Sequence, residues 1–365
     1  TGVANPYLLL EPSRTNLLVQ SEYFSDWTSN GSTLEVNSTI SPEGVQNAYK
    51  ITDDTSTSRH GIFKINNGLT SNVSTTFSFF VKQGTSGQYA QCSFNSNVAD
   101  YWVAAIIDLS NGIIVNTDSS INATYEDSGV EEFSNGWYRI TLTGKFAQTE
   151  YHTKILLSNT SNPTRDAFGN IIYTGDGVRN IYTYGAQLEQ ASYPTSYIPT
   201  YSVSATRAQD VCNKTNASGE IDSTEGVLYA EVAALDNPTA QEIALSISEG
   251  QSGANRLLIR MKTDGKIGVV LRVANTTEAS IDSAVLNQSV KHKIALKWKV
   301  NDIAFWIDGI EVGTDNSANV FAANILDEIS FNQGNGTNPF YGKVNALQVY
   351  KEALTDAELA TLTTI

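Results

Sequence analysis

The chain holds three histidines, His60, His152 and His292. None has a second His at metal-ligand spacing. No His-Glu-x-x-His zinc helix, nucleophile elbow or phosphate-binding glycine loop occurs. The adjacent acids are Asp53-Asp54, Glu131-Glu132 and Asp327-Glu328. Glycoside hydrolysis needs two carboxylates held roughly 5–10 Å apart across a bond, and these pairs lie side by side in turn-like or strand-edge runs. Distant carboxylates can still converge in space, so a polysaccharide-degrading enzyme stays open as an alternative. The reading adopted here is non-catalytic.

The side chains suited to chemistry of another kind are aromatic. Sugar sites stack the apolar face of a pyranose on an aromatic ring and hold its hydroxyls with Asn, Asp, Gln and backbone groups. Trp102 shares a strand face with Asp108, opposite the face that forms a core. Trp306 lies across a hairpin from Lys297 on a mixed polar face. Asn335 falls in the polar run 332–338, with Tyr341 close behind. Trp102, Asp108, Trp306, Lys297, Asn335 and Tyr341 are therefore the candidate ligand contacts. For both tryptophans, cover by a loop, another domain or another subunit is the simpler account. The 332–338 run reads equally as a solvated connection. Trp27, in a loop-like run, and Trp137 read as architecture, and Arg14 and Asn16 as ties for the first strand.

The elements that must position these residues are strands. Phe77, Phe79 and Val81 alternate onto one face, as do Tyr101, Val103, Ala105, Ile107 and Leu109. Asn111-Gly112 predicts a type I′ turn before Ile113. Tyr138, Ile140 and Leu142 mark a further strand. Later strands cover 227–232, 257–261 and 267–273, the last two flanking an Asp264-Gly265 turn. A hairpin over 294–307 is expected to turn at Asn301-Asp302. That register sets Val300 against Ile303, Trp298 against Phe305 and Leu296 against Ile307, with Lys297 against Trp306. The one clear helix starts at Thr355, where Thr355 and Glu358 form a capping box, and Leu354, Leu359 and Leu362 can pack onto a sheet. The prediction is an all-β protein: two antiparallel β-sandwich (jelly-roll) domains and a short C-terminal helix. The domains are expected at 1–202 and 225–365, with a linker over 203–224, where Ser, Thr, Asn and Asp are dense.

The net charge of −15 repels phosphate backbones and anionic membrane surfaces. Nucleic acid is thus an unsuitable partner, and no run is long and apolar enough to insert in a membrane. Cys92 and Cys212 are far apart and read as free thiols. The chain opens at Thr1 without Met, which reads as a fragment or processed product of something longer.

A series of ordered motifs spans the first 200 residues. It runs from Glu11-Pro12-Ser13-Arg14-Thr15-Asn16 through Ser41-Pro42-Glu43-Gly44, Ser78-Phe79-Phe80-Val81-Lys82, Asp108-Leu109-Ser110-Asn111-Gly112 and Asn135-Gly136-Trp137-Tyr138-Arg139. Gly185-Ala186-Gln187-Leu188-Glu189 and Ser196-Tyr197-Ile198-Pro199-Thr200 close it. This series resembles a β-sandwich module of bacteriophage head-spike and tail-fibre proteins, itself similar to the jelly rolls of carbohydrate-binding modules. The second half carries His292-Lys293-Ile294-Ala295-Leu296-Lys297-Trp298, Phe305-Trp306-Ile307-Asp308-Gly309 and Leu354-Thr355-Asp356-Ala357-Glu358-Leu359. It is similar to concanavalin A-like (laminin-G-like) sandwiches. The Glu-x-Asp-x-x-Glu strand typical of the glucanase branch is missing.

The resemblance implies a virion-surface protein that attaches to a host glycan, with other virion proteins as partners. It also implies a homo-oligomer, a trimer by preference, since several copies raise the avidity of shallow sugar sites. A structural calcium, common in both kinds of sandwich, is a possible addition with no ligands assigned; no other cofactor is expected. The competing reading is a purely structural capsid decoration or adaptor.

Overall fold

A computed structural model describes residues 6–365 of the chain. The fold is all-β, built from antiparallel sheets with one short C-terminal helix. It divides into two compact units. One is Arg14–Arg207; the other joins the described residues up to Ser13 to Ala208–Ile365.

The Arg14–Arg207 unit packs two six-stranded sheets around one core. The first runs in the order Ile113–Ser119, Trp102–Asp108, Tyr89–Asn95, Tyr151–Ser158, Gly61–Asn66, Thr28–Asn30. The second runs Ala123–Phe133, Trp137–Phe146, Thr75–Gln83, Asn180–Glu189, Ala48–Asp53, Ser32–Thr39. Alternation places Phe77, Phe79, Val81, Val103, Ala105, Ile107, Ile140 and Leu142 in the shared interior, as expected. The turn at Asn111-Gly112 differs from the sequence reading. Asp108 pairs directly with Ile113, so four residues form the loop. Only Gly112 has positive φ, and its N–H donates to the Asp108 carbonyl at 2.8 Å. The Asp108 carboxylate, capping Ser110 N–H and the Asn111 amide, favours this longer turn over a two-residue one.

A buried polar latch joins the two ends of this unit. Asn16, fully buried, touches the Ala186, Leu188 and Ile198 backbones. Gln187 accepts from Ile198 N–H at 2.6 Å and donates to Glu189. Glu189 in turn accepts from the backbone N–H and hydroxyl of Thr195. The motifs 11–16 and 185–200 are therefore two halves of one hydrogen-bonded closure, which requires those polar residue types at those positions.

The second unit also has two six-stranded sheets. One is ordered Leu8–Leu10, Gly342–Tyr350, Glu225–Ala234, His292–Lys299, Ile303–Ile307, Ile310–Asp315. The other is ordered Asn213–Lys214, Glu328–Ser330, Ile243–Ser248, Arg256–Met261, Lys266–Val273, Thr276–Val285. The expected boundaries shift accordingly. Leu8–Leu10 adds an edge strand to Gly342–Tyr350. The stretch 203–224 is not a linker: Ala205–Arg207 pairs with Arg14–Asn16, Asn213–Lys214 pairs with Glu328–Ser330, and Ala217 and Ile221 are core residues. Edge pairing uses backbone groups, which polar side chains neither reveal nor prevent.

The 294–307 hairpin keeps its faces and shifts its register by two. Leu296 opposes Phe305 and Ile294 opposes Ile307. A shift of two preserves side-chain direction, so Ile294, Leu296, Trp298, Ile303, Phe305 and Ile307 still share the core. Val300 leaves the strand for the turn and is exposed. The Asp356–Thr363 helix has its capping box, with Thr355 Oγ1 accepting from Glu358 N–H and Glu358 reaching back to Thr355 N–H. Thr355→Ala should cost about 1 kcal/mol, read as a lower denaturant midpoint for this unit.

Candidate functional site

The residues singled out for sugar contact do not come together. Trp102 and Asp108 belong to the Arg14–Arg207 unit, and Trp306, Lys297, Asn335 and Tyr341 to the other. Both tryptophans are covered. Trp102 is 7% exposed, lying beneath the loop over 159–172. A Cβ on Gly169 would come within 2.9 Å of its ring, and the Arg165 guanidinium stacks over it at 5.8 Å. Trp306 is 8% exposed, in a cluster with Tyr229, Ala304 and Leu359 of the C-terminal helix. Neither ring offers a free face, and that corrects both as stacking platforms. Asp108 is consumed by its turn. Lys297 is buried, paired with Asp302 at 2.7 Å and Asp356 at 3.4 Å. Asn335 caps Thr337 in an exposed loop, and Tyr341 donates its hydroxyl to Gln209 at 2.8 Å. Trp27 is buried against Phe24 and donates to the Gln20 carbonyl.

What the Arg14–Arg207 unit does present is a depression of about 390 Å³. It is lined by Gln20, Glu22, Tyr23, Asn37, Asn47, Tyr49, Tyr201 and Ser202. Its position follows from the latch. The chain entering the unit and the chain leaving it meet at an antiparallel bridge between Gln20 and Tyr201. Tyr23 and Tyr201 line the depression and are 54% and 66% exposed. Asn37 comes to the lining from a bulge. Glu35 pairs with Lys50 and Thr39 with Ala48, so three residues oppose Tyr49. Asn37 sits in the bulge at φ 53°, which Asn tolerates better than most residues. The floor is rigid: the buried Tyr49 ring packs edge-on against Phe24 at 5.4 Å, and Phe24 against Trp27 at 5.1 Å.

Glu22 organises the polar side. It accepts the hydroxyls of Tyr201 at 2.9 Å and Tyr197 at 3.1 Å. The hydrogen bond to Glu22, then burial, raises the Tyr201 phenol above its ordinary range. Burial, with Glu22 close by, does the same to Tyr197. Both phenols therefore stay protonated donors, and the Tyr201 ring is fixed while its face remains open. Gln20 donates to the Ser202 hydroxyl at 3.2 Å. The Asn47 side-chain oxygen is enclosed and has no hydrogen-bond partner. Glu22 is the one carboxylate among the lining residues. The depression combines open aromatic faces with amides, the chemistry of weak polyol binding.

Among the described residues, no three His, Cys, Asp or Glu side chains gather where they could hold one metal ion. Both cysteines are free, Cys92 buried and Cys212 partly so.

Sequence reasoning missed Tyr23 and Tyr201 because neither lies in a periodic strand. The available signal was a pair of tyrosines in polar runs just outside the two closing motifs.

Residues 215–360 match the family model described as the concanavalin A-like lectin/glucanases superfamily. The match falls on the half for which that resemblance was stated. No curated protein matches the sequence. Among solved structures, the chain is similar to the Ruminococcus gnavus IT-sialidase CBM40 bound to alpha2,3 sialyllactose. The identity is 23%, over 40% of this chain and 86% of that one, with a TM-score of 0.34. It is also similar to mouse laminin alpha1 chain domains LG4-5, at 10% identity over 99% and 96% of the two chains, with a TM-score of 0.30. Trypanosoma rangeli sialidase matches at 12% identity over 86% of this chain and 60% of that one, with a TM-score of 0.32.

Proposed function

We propose that this chain is a non-catalytic attachment component of a bacteriophage virion surface, and that the Tyr23–Tyr201 depression holds a host-surface glycan. One observation carries the binding role. Two exposed tyrosine rings, one of them locked by Glu22, line a depression together with the amides of Gln20, Asn37 and Asn47. A solvated surface has no need to fix an open aromatic ring. A sugar site does, because a rigid ring loses little entropy on binding. The lectin-like family match of the second unit and the motif series of the first agree with this reading. The virion setting rests on that motif series. A shallow site of this size binds weakly, so the reading includes a homo-oligomer, trimeric by preference, that gains avidity.

The test is a glycan array probed with the whole chain, with and without calcium, beside Tyr23→Ala and Tyr201→Ala. Losing one stacked ring costs about 1–1.5 kcal/mol, or roughly tenfold in affinity. Reproducible binding that falls by this amount in either variant is the expected result. Absence of binding to any glycan by a folded chain would overturn it. The structural decoration or adaptor reading would then stand, and the search would move to protein partners.

A further inference from the structure

The charge around the Tyr23–Tyr201 depression is of one sign. Glu22 is the one charged residue in its lining, which holds no Lys, Arg or His. Glu43 lies close by: together with Glu22 it acts on the Tyr201 phenol, and both groups are carboxylates. Among the described residues, no cation comes within ion-pair distance of either acid. Other acids of this unit are neutralised. Asp26 pairs with Lys64 at 2.6 Å and Glu126 with Lys145 at 2.6 Å. Glu35, just before the lining Asn37 in the chain, pairs with Lys50 at 3.6 Å.

Glu22 can be reached from solvent. It is half-buried, and its two oxygens accept one hydroxyl each, from Tyr197 and Tyr201. A carboxylate has about four acceptor sites, which leaves room for a further donor. Tyr23 and Tyr201 are exposed. An aromatic face carries the negative part of the ring quadrupole and attracts a cation. The exposed Asn37 and the half-buried Gln20 add neutral amide donors and acceptors.

These groups discriminate by ligand charge. A neutral sugar gains ring stacking and hydrogen bonds. A carboxylated or sulfated sugar meets Glu22 and Glu43 and is repelled. A sugar with a protonated amine gains from the rings and from the carboxylate, and no cation in the lining competes for either.

We propose that the depression selects a saccharide bearing a free, protonated amine, whose ammonium lies against Glu22 and a tyrosine face while Gln20 and Asn37 hold ring hydroxyls. This selection presupposes that the depression is a glycan site and adds the class of sugar. The bound ammonium supplies the positive charge that the fold withholds from Glu22.

The test titrates the whole chain, at mildly acidic pH, with three β-1,4-linked disaccharides of one shape: the glucosamine dimer, its N-acetylated form, and cellobiose. The first is cationic and the other two are neutral. The amine should bind about tenfold more tightly than either, with a margin that shrinks as salt rises. Glu22→Gln keeps an acceptor for Tyr201 and removes the charge, so the preference should collapse to about twofold or less. Tyr201→Ala should weaken the amine about tenfold. Thermal melts of both variants confirm folding. Amine binding no tighter than that of the neutral sugars, or a preference unmoved in a folded Glu22→Gln, would overturn the selection and leave the glycan site standing. Amine binding untouched by both Tyr23→Ala and Tyr201→Ala would overturn it as well, as general attraction to a chain of charge −15. If none of the three binds at millimolar concentration the selection also falls, whereas the glycan site itself falls only if the array is blank.

Discussion

Asn16→Ala should destabilise the Arg14–Arg207 unit by roughly 4 kcal/mol. The side chain is fully buried and makes four hydrogen bonds. Its nitrogen donates to the Ala186 carbonyl at 3.1 Å and the Ile198 carbonyl at 2.8 Å. Its oxygen accepts from Leu18 N–H and Leu188 N–H, both at 3.1 Å. Alanine strands two carbonyls and two amides in a dry site. Each orphan costs about 1–3 kcal/mol, reduced where backbone shifts or water can reach it. Asn16→Asp should be no milder, because it removes both donors and adds a buried charge. Cys92 gives a local readout. Its thiol is fully buried in this unit, and burial pushes its pKa up, so labelling requires opening. A loss of about 4 kcal/mol should speed labelling of Cys92 by nearly three orders of magnitude. An unchanged labelling rate and melting midpoint in Asn16→Ala would show that the latch is not what closes the unit.

That latch also shows where the sequence was legible. Alternation located the strands of both cores, since burial on one face enforces a period of two at every position. The capping box located the helix, because it is local chemistry within four residues. The motifs around Asn16 and Gln187 were read as the two ends of one module, yet their mutual bonding spans 170 residues or more and cannot be read from spacing. Leu8–Leu10 was assigned to the wrong unit for a similar reason: three apolar residues fit any free sheet edge, and its partner lies at Gly342–Val344.

The tryptophans failed as site residues because period two gives direction, not cover. Trp102 and Trp306 do point away from the main cores. A loop and a helix from later in the chain then close over them.

The loop over Trp102 leads to the second large effect, on pH. Lys154 lies beneath that loop, 1% exposed, donating to the Phe168 carbonyl at 3.0 Å and the Asn170 side-chain oxygen at 2.6 Å. Burial, reinforced by the Arg59 charge and opposed by Asp166, lowers its pKa to about 7. The unfolded chain would hold the proton up to about 10.4. Below pH 7 both states are protonated and the full cost of burying the ammonium is present. Between the two values the unfolded state binds more protons, so stability must rise with pH, by at most about 1.4 kcal/mol per unit. The unit should therefore gain roughly 2–3 kcal/mol between pH 6 and pH 9, seen as a higher calorimetric midpoint. Lys154→Met removes the titrating group, leaves the Phe168 carbonyl without a donor and leaves the Asn170 oxygen with only a 3.4 Å bond from Arg59. Its midpoint should be close to that of the parent at pH 6, where the two costs oppose each other, and lower at pH 9, where the parent is relieved of its charge. If the parent curve is flat or falls over this range, the two acceptors and Asp166 hold the ammonium charged. The loop over Trp102 would then be pinned by charge rather than loosened by its burial.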